Sequence, residues 1–446
     1  MRMIWVGIGA LATASAALAG QAQRAPGPSR VPETPIVAQG ARVVLPATQA
    51  LFAGYVAQKK MPGIVGMFGL GRLPTQTVAA GTIADGSPTP VDADTLWRVY
   101  SMTKPITGMA AMMLVEDGKL NLDDPVAKYI PAFKSMRVLT SPDTSLDSRP
   151  AKTPITIRNL LTHTAGLGYS INAKGPILKE YERLGILPAA INAQTEVQMR
   201  AVRSKTLEEF ANRVASVPLV AEPGTTWHYS IGLDVMGRVI EVASGMPFER
   251  FVQTRLFGPL KMNSSYWQVP ASELGRLATN YAFVGENRVP FDPAATSVFA
   301  QKPSFPYGGA GLVMSARDYD RFLHMLQDGG TLEGVQVMKP ETVALAMSNL
   351  LPAGVSFRGV DGDTGGTNAP ATMGFGAGGS VTLVDTPGGP AKGTYGWGGA
   401  AGTYAWVDPA RKARGVVMVN YFPATKWPIR AETGRAIMAD VARFRR

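Results

Sequence analysis

With 446 residues, 46% of them hydrophobic and 17% charged, the chain is long enough to bury a large core and too apolar to stay disordered. Its formal charge of +11 could suit an anionic partner, but the 44 Lys and Arg residues are scattered and form no basic block, so no nucleic-acid binding is expected. The lack of cysteine excludes disulfides, a thiolate nucleophile, thiolate zinc sites and lipid-modified cysteine.

Arg2, the apolar run from Ile4 to Ala16 and the small-residue site Ala17-Leu18-Ala19 predict an export signal over 1–19, cleaved before Gly20. A periplasmic or secreted protein follows. The run is too short to span a bilayer comfortably and no other stretch approaches that length, so no stable membrane insertion is expected after cleavage. Residues 20–46, rich in Pro, Gly, Gln and Arg, read as a flexible tether.

The folded unit is expected over 47–446. Leu51, Phe52, Tyr55 and Val56 repeat at helical spacing and predict a helix over 47–60, stopped by Met61-Pro62-Gly63. Apolar runs at 64–70, 77–83 and 95–99, separated by Gly, Pro and Asp, predict strands that pair antiparallel. The stretch 106–116 is apolar on nearly every face and predicts a buried helix. Helical patterns then dominate, at 207–217, 232–244, 248–256 and 316–328, and the glycine-rich 359–379 reads as a surface loop. Strand signals return at 381–384, 403–407 and 415–420, before an amphipathic helix over 428–444. The order predicts an α/β fold: an antiparallel sheet flanked by N- and C-terminal helices, with an inserted, mostly helical domain. The α/β part is expected at about 47–100 and 346–446, the insertion at about 101–345.

Chemistry concentrates at Ser101-Met102-Thr103-Lys104-Pro105. Residues three apart on a helical turn share a face, so the Ser101 hydroxyl and Lys104 amine can meet. A semi-buried amine has its charged form disfavoured and can take a serine proton. Pro105 belongs in the first turn of a helix, which puts Ser101 at the helix N-terminus, where backbone N–H groups can stabilise an oxyanion. No Gly-x-Ser-x-Gly elbow occurs, and His163, His228 and His324 lack zinc-ligand spacing, so neither an α/β-hydrolase triad nor a metal site is expected. His163 is expected to order local structure.

Longer blocks extend the motif: Asp94 to Pro105, Ile155 to Leu167 with its Leu160-Leu161-Thr162-His163-Thr164 core, and Pro223-Gly224-Thr225-Thr226-Trp227-His228-Tyr229-Ser230. Gly308-Gly309-Ala310-Gly311-Leu312 and a helix near Ala316 follow. In this order the chain resembles the serine β-lactamase and penicillin-binding protein superfamily, in particular the class C β-lactamase-like branch that includes the family VIII esterases. The resemblance covers about 47–444.

It implies that Ser101 is acylated while Lys104 and Tyr229 share its proton and return one to the leaving group. A phenol beside an ammonium is chemically suited to that work. The family's third motif is best matched by Trp397-Gly398-Gly399, in the form resembling family VIII esterases, with the Ala400 N–H joining that of Ser101 in an oxyanion hole. Lactamases begin this triplet with Lys or His and place an Asn two residues after the tyrosine; here those positions hold Trp397 and Ile231, expected together with Gly398 and Gly399 as substrate contacts. Both changes remove partners for a β-lactam's carboxylate and acylamino group. The expected function is hydrolysis of small carboxylic esters without cofactor. Alternatives are β-lactamase or D-amino-acid peptidase activity, acyl transfer, or a catalytically silent peptidoglycan-binding protein.

Overall fold

The strand Gly63–Leu70 is buried along nearly its whole length, which suits the interior of a sheet. The computed structural model describes residues 44–357, 359, 372–387 and 389–444 and places this strand between Ala413–Met418 and Gln76–Gly81. Beyond Ala413–Met418 come Tyr404–Asp408, Tyr395–Gly398, Ser380–Thr382 and Met373–Phe375, completing a seven-stranded antiparallel sheet. The expected signal over 1–19 and most of the tether over 20–46 lie outside the described residues. Among the described residues no helix is long and apolar enough to cross a membrane.

Period-two alternation divides the core. Val65 pairs with Met418 and Met67 with Val416, and these side chains join the larger hydrophobic cluster with the helices Thr103–Glu116 and Ala316–Gln327. Ile64, Phe68, Val417 and Tyr404 turn to the opposite face, where Phe52 of the opening helix Pro46–Ala57 and Ile429 of the closing helix Ile429–Phe444 cover them. Strands whose partners arrive at the end of the chain thus receive one helix from each terminus.

Two expectations need correction. The segment expected as a strand at 95–99 forms Leu96–Arg98, but it pairs with Val313–Ser315 in a separate three-stranded sheet, not with the strands before it. The fully buried Arg98 explains this: its guanidinium needs Asp292 at 2.6 Å, the Asp292 carbonyl at 2.9 Å and Ser297 Oγ at 3.0 Å, all outside the main sheet. The expected surface loop at 359–379 falls partly outside the described residues. Its described end forms the edge strand Met373–Phe375 and a turn whose Ala377 and Gly378 N–H groups donate to the Ala346 and Leu161 carbonyls. The middle of the chain is mostly helical but also carries the hairpin Asn280–Val284 and Asn287–Asp292.

The two termini are joined by a cap. The helix Pro46–Ala57 has no capping side chain at Leu45, so its first N–H groups need outside acceptors. The fully buried Asp440 supplies them, accepting from Ala47 N at 2.8 Å, Thr48 N at 2.9 Å and Thr48 Oγ1 at 2.8 Å. Asp440→Ala is therefore expected to cost about 2–4 kcal/mol of stability in urea unfolding. Asp440→Asn, which keeps one acceptor oxygen, should lose less. An alanine variant as stable as the wild type would break the link.

Candidate active site

Leu96–Arg98 leads into a tight turn, Tyr100–Met102, that opens the helix Thr103–Glu116. Tyr100 adopts a φ of +43°, a region unfavourable for a residue with a Cβ. Packing holds it there: its hydroxyl meets Asn280 Nδ2 at 2.9 Å and its ring packs on Phe299 and Phe422. The helix is buried on every side from Thr103 to Leu114, as its composition predicts. Thr107 Oγ1 donates to the Gly308 carbonyl at 2.7 Å and Thr103 Oγ1 accepts from Leu312 N at 3.1 Å, tying the helix to the glycine-rich segment. From the other side the Ala377–Gly378 turn presses on it, leaving no room for a Cβ on Gly108, which would stand 2.1 Å from the Ala377 carbonyl.

This frame brings together the residues read from separate parts of the sequence. Ser101 Oγ is 2.6 Å from Tyr229 Oη, and Lys104 Nζ donates to Ser101 Oγ at 3.2 Å. Lys104 is 0% exposed, and its Nζ also donates to the Gly309 carbonyl at 2.7 Å. The ammonium lies 4.7 Å from the Tyr229 ring centroid and 5.8 Å from that of Tyr169. Hydroxyl, amine and phenol so arranged can pass a proton around the serine without a histidine.

Tyr229 is held by its neighbours in sequence. His163 Nδ1 accepts from Ser230 N at 3.2 Å and lies 3.0 Å from Ser230 Oγ, while the His163 carbonyl accepts from His228 N at 2.8 Å. Burial, aided by the charge of Lys104, pushes the His163 imidazole well below its usual range, so it is neutral and fixed as an acceptor at Nδ1. Its ring packs 4.8 Å from that of Tyr229. The helix Ile157–Leu161 that delivers His163 is started by a reciprocal cap between Thr156 and Asn159.

The glycine motif is placed beside the serine turn. Tyr395–Gly398 is a strand of the main sheet, and the chain then reverses with Gly399 N donating to Thr403 O at 2.7 Å and Gly402 N to Gly399 O at 3.1 Å. A Cβ on Gly399 would stand 2.5 Å from the carbonyl of Val99, two residues before Ser101, so only glycine permits this approach. Ala400 is exposed at the tip of that turn. Trp397 is 7% exposed and sits in an aromatic cluster with Phe357 and Phe375, against Trp227 and Tyr229. Its indole N–H has no hydrogen-bond partner among the described residues. Ile231 is corrected as a substrate contact: it is 1% exposed, because the start of the helix Gly232–Ser244 turns it into the core.

Two residues here went unread in the sequence. Asp234 is a buried carboxylate accepting from Gly309 N at 2.8 Å, and Tyr169 packs beside Tyr229 and Lys104. The signal for Asp234 was a lone acid in the apolar run Leu233-Asp234-Val235-Met236. Tyr169 carried none.

This fold and site define an enzyme of the β-lactamase and transpeptidase superfamily. A family model described as Beta-lactamase matches residues 48–438, and the chain belongs to that family. It is 32% identical over 352 residues to the esterase EstB of Burkholderia gladioli, covering 74% of this chain and 79% of that one. It is 30% identical over 349 residues to the acyltransferase calJ of Penicillium decumbens, covering 75% and 78%. The solved structure titled EstCE1, a hydrolase with promiscuous acyltransferase activity, superposes with a TM-score of 0.70 at 24% identity, covering 88% and 98%, and shares the fold. The protein is thus a serine hydrolase or acyltransferase of the β-lactamase fold.

Gly399→Ala tests the close approach. The added methyl should push the turn from Val99, cost about 1–3 kcal/mol of stability as overpacking does, and lower turnover about tenfold or more, the scale of a displaced oxyanion donor. Unchanged turnover would mean that the turn has slack.

Proposed function

We propose that this protein hydrolyses small, neutral carboxylic esters through an acyl-enzyme on Ser101. One observation carries the reading: Ser101 Oγ sits within hydrogen-bond reach of Tyr229 Oη, at 2.6 Å, and of Lys104 Nζ, at 3.2 Å. In this reading Ser101 Oγ bonds to the ester carbonyl carbon as its proton passes to the Lys104–Tyr229 pair. The N–H groups of Ser101 and Ala400 receive the oxyanion. The C–O bond then breaks, the pair returns the proton to the departing alcohol, and water repeats the sequence on the acyl-enzyme to release the acid.

The name of EstB supports an ester, and so does the lining. Where a lactamase places a cation or donor for the substrate carboxylate, this chain has the buried Trp397, and Ile231, at the position two residues after Tyr229 that would carry an amide, is turned inward. A second reading, acyl transfer, draws support from the aromatic cluster around Tyr229, which disfavours water relative to an alcohol with an apolar body. The same proposal takes 1–19 as an export signal, so mature protein recovered from its own cells should begin at Gly20 on N-terminal sequencing.

Ser101→Ala is expected to abolish ester turnover while preserving the fold. Tyr229→Phe, which removes only the proton carrier, should lower turnover about a hundredfold or more. A Phe variant near wild-type rate would reduce Tyr229 to packing.

Selectivity gives a separate measurement. The kcat/KM for a butyrate ester should exceed that for a chromogenic cephalosporin at least about a hundredfold, equivalent to about 2.7 kcal/mol of differential transition-state binding. Equal or reversed values would favour a lactamase.

A further inference from the structure

We propose that Asp234 is a positioning residue for Lys104, acting through the backbone of Gly309 and through its own negative charge. The inference rests on the acyl-enzyme reading above and extends it to how the amine is aimed. Asp234 lies in the first turn of the helix Gly232–Ser244, surrounded by core residues. Its Oδ1 accepts the Gly309 N–H at 2.8 Å, and the carbonyl of the same residue accepts from Lys104 Nζ at 2.7 Å. A Cβ on Gly309 would stand 2.5 Å from Asp234 Oδ2, so the carboxylate lies directly against this backbone. Asp234, Gly309, Lys104 and Ser101 therefore form one chain of contacts ending at the serine oxygen.

A purely structural anchor for one N–H would not need a charge. An amide or hydroxyl would accept it at far smaller cost than a buried carboxylate. What does need a charge is the cation on Lys104. Burial pushes the Asp234 carboxyl up to about 6, while Lys104 first and the Gly309 N–H next pull it back down. The other titratable groups facing Asp234 are Tyr169 and Tyr307, whose phenols burial pushes upward and which stay uncharged. Behind Tyr307, Arg203 and Glu196 neutralise each other in a buried pair at 2.8 Å. On its other sides Lys104 meets Tyr229 and the neutral His163. Above about pH 6 Asp234 thus supplies the negative charge of this pocket among the described residues.

The test compares Asp234→Asn, which keeps an acceptor and removes the charge, with Asp234→Ala, which removes both. A butyrate ester is the probe, across pH 5–9. In the Asn variant the acid limb of kcat/KM should move to lower pH by about half a unit or more, because a cation without its counter-charge gives up the shared proton more readily. Its KM should stay within about threefold of the wild type. The Ala variant should also lose about tenfold or more in kcat at the optimum, as Lys104 loses its aim. If it does not fold, the Asn profile alone decides. An Asn variant with the wild-type acid limb and kcat overturns the proposal, even if it unfolds more easily, since that is what a structural role would give. Labelling wild-type Ser101 with a fluorophosphonate, read by intact mass, separates the two layers. Without a label the acyl-enzyme reading falls; with a label and an unmoved limb, only the role of Asp234 falls.

Discussion

The site depends on the burial of one ammonium group. An amine removed from water must find acceptors for its N–H groups or lose its charge. Lys104 finds a backbone carbonyl, Gly309, and the Ser101 hydroxyl, neither of which neutralises it as a contacting carboxylate would. Its Nζ is therefore held at the serine oxygen and beside the Tyr229 ring. The surrounding features follow from that need. The glycine-rich segment must come close enough for its carbonyl to be reached, Thr107 and Asp234 hold it there, and the nearby imidazole of His163 is kept neutral.

Rigidity comes from farther away. The main sheet presents Tyr395–Gly398 and the Gly399 turn to the serine, and its two faces are covered by helices from both ends of the chain and from the middle. Because packed interiors deform little, the spacing between the Gly399 turn and Val99 is inherited from strand pairing rather than from local loop preference. The aromatic shell of Trp227, Trp397, Phe357 and Phe375 adds a low-dielectric surround to Tyr229, where proton and charge movements have larger energetic effects than in water.

Much of this was legible from residue pattern. The core helix, the late strands and the closing helix follow from periodicities that the packing preserves, and the serine, lysine and tyrosine lie in blocks whose order carries the family resemblance. The strand Leu96–Arg98 was legible as a strand but not as to partner. Its pairing is decided by where Arg98 finds Asp292, 194 residues away. Ile231 misled for a related reason: its place in the motif says which residue stands two beyond Tyr229, while its direction is set by the helix that begins next to it.

The amino-acid sequence by itself determined which groups are present, which of them share a helical turn, and which elements have a face to bury, because these depend on spacing along one chain. Only the tertiary structure decided that Asp234 stands behind Lys104, that Trp397 packs against Tyr229, and that Gly399 touches Val99. Those contacts join segments tens to hundreds of residues apart. Their geometry is the product of sheet register and helix packing, and no local pattern encodes it.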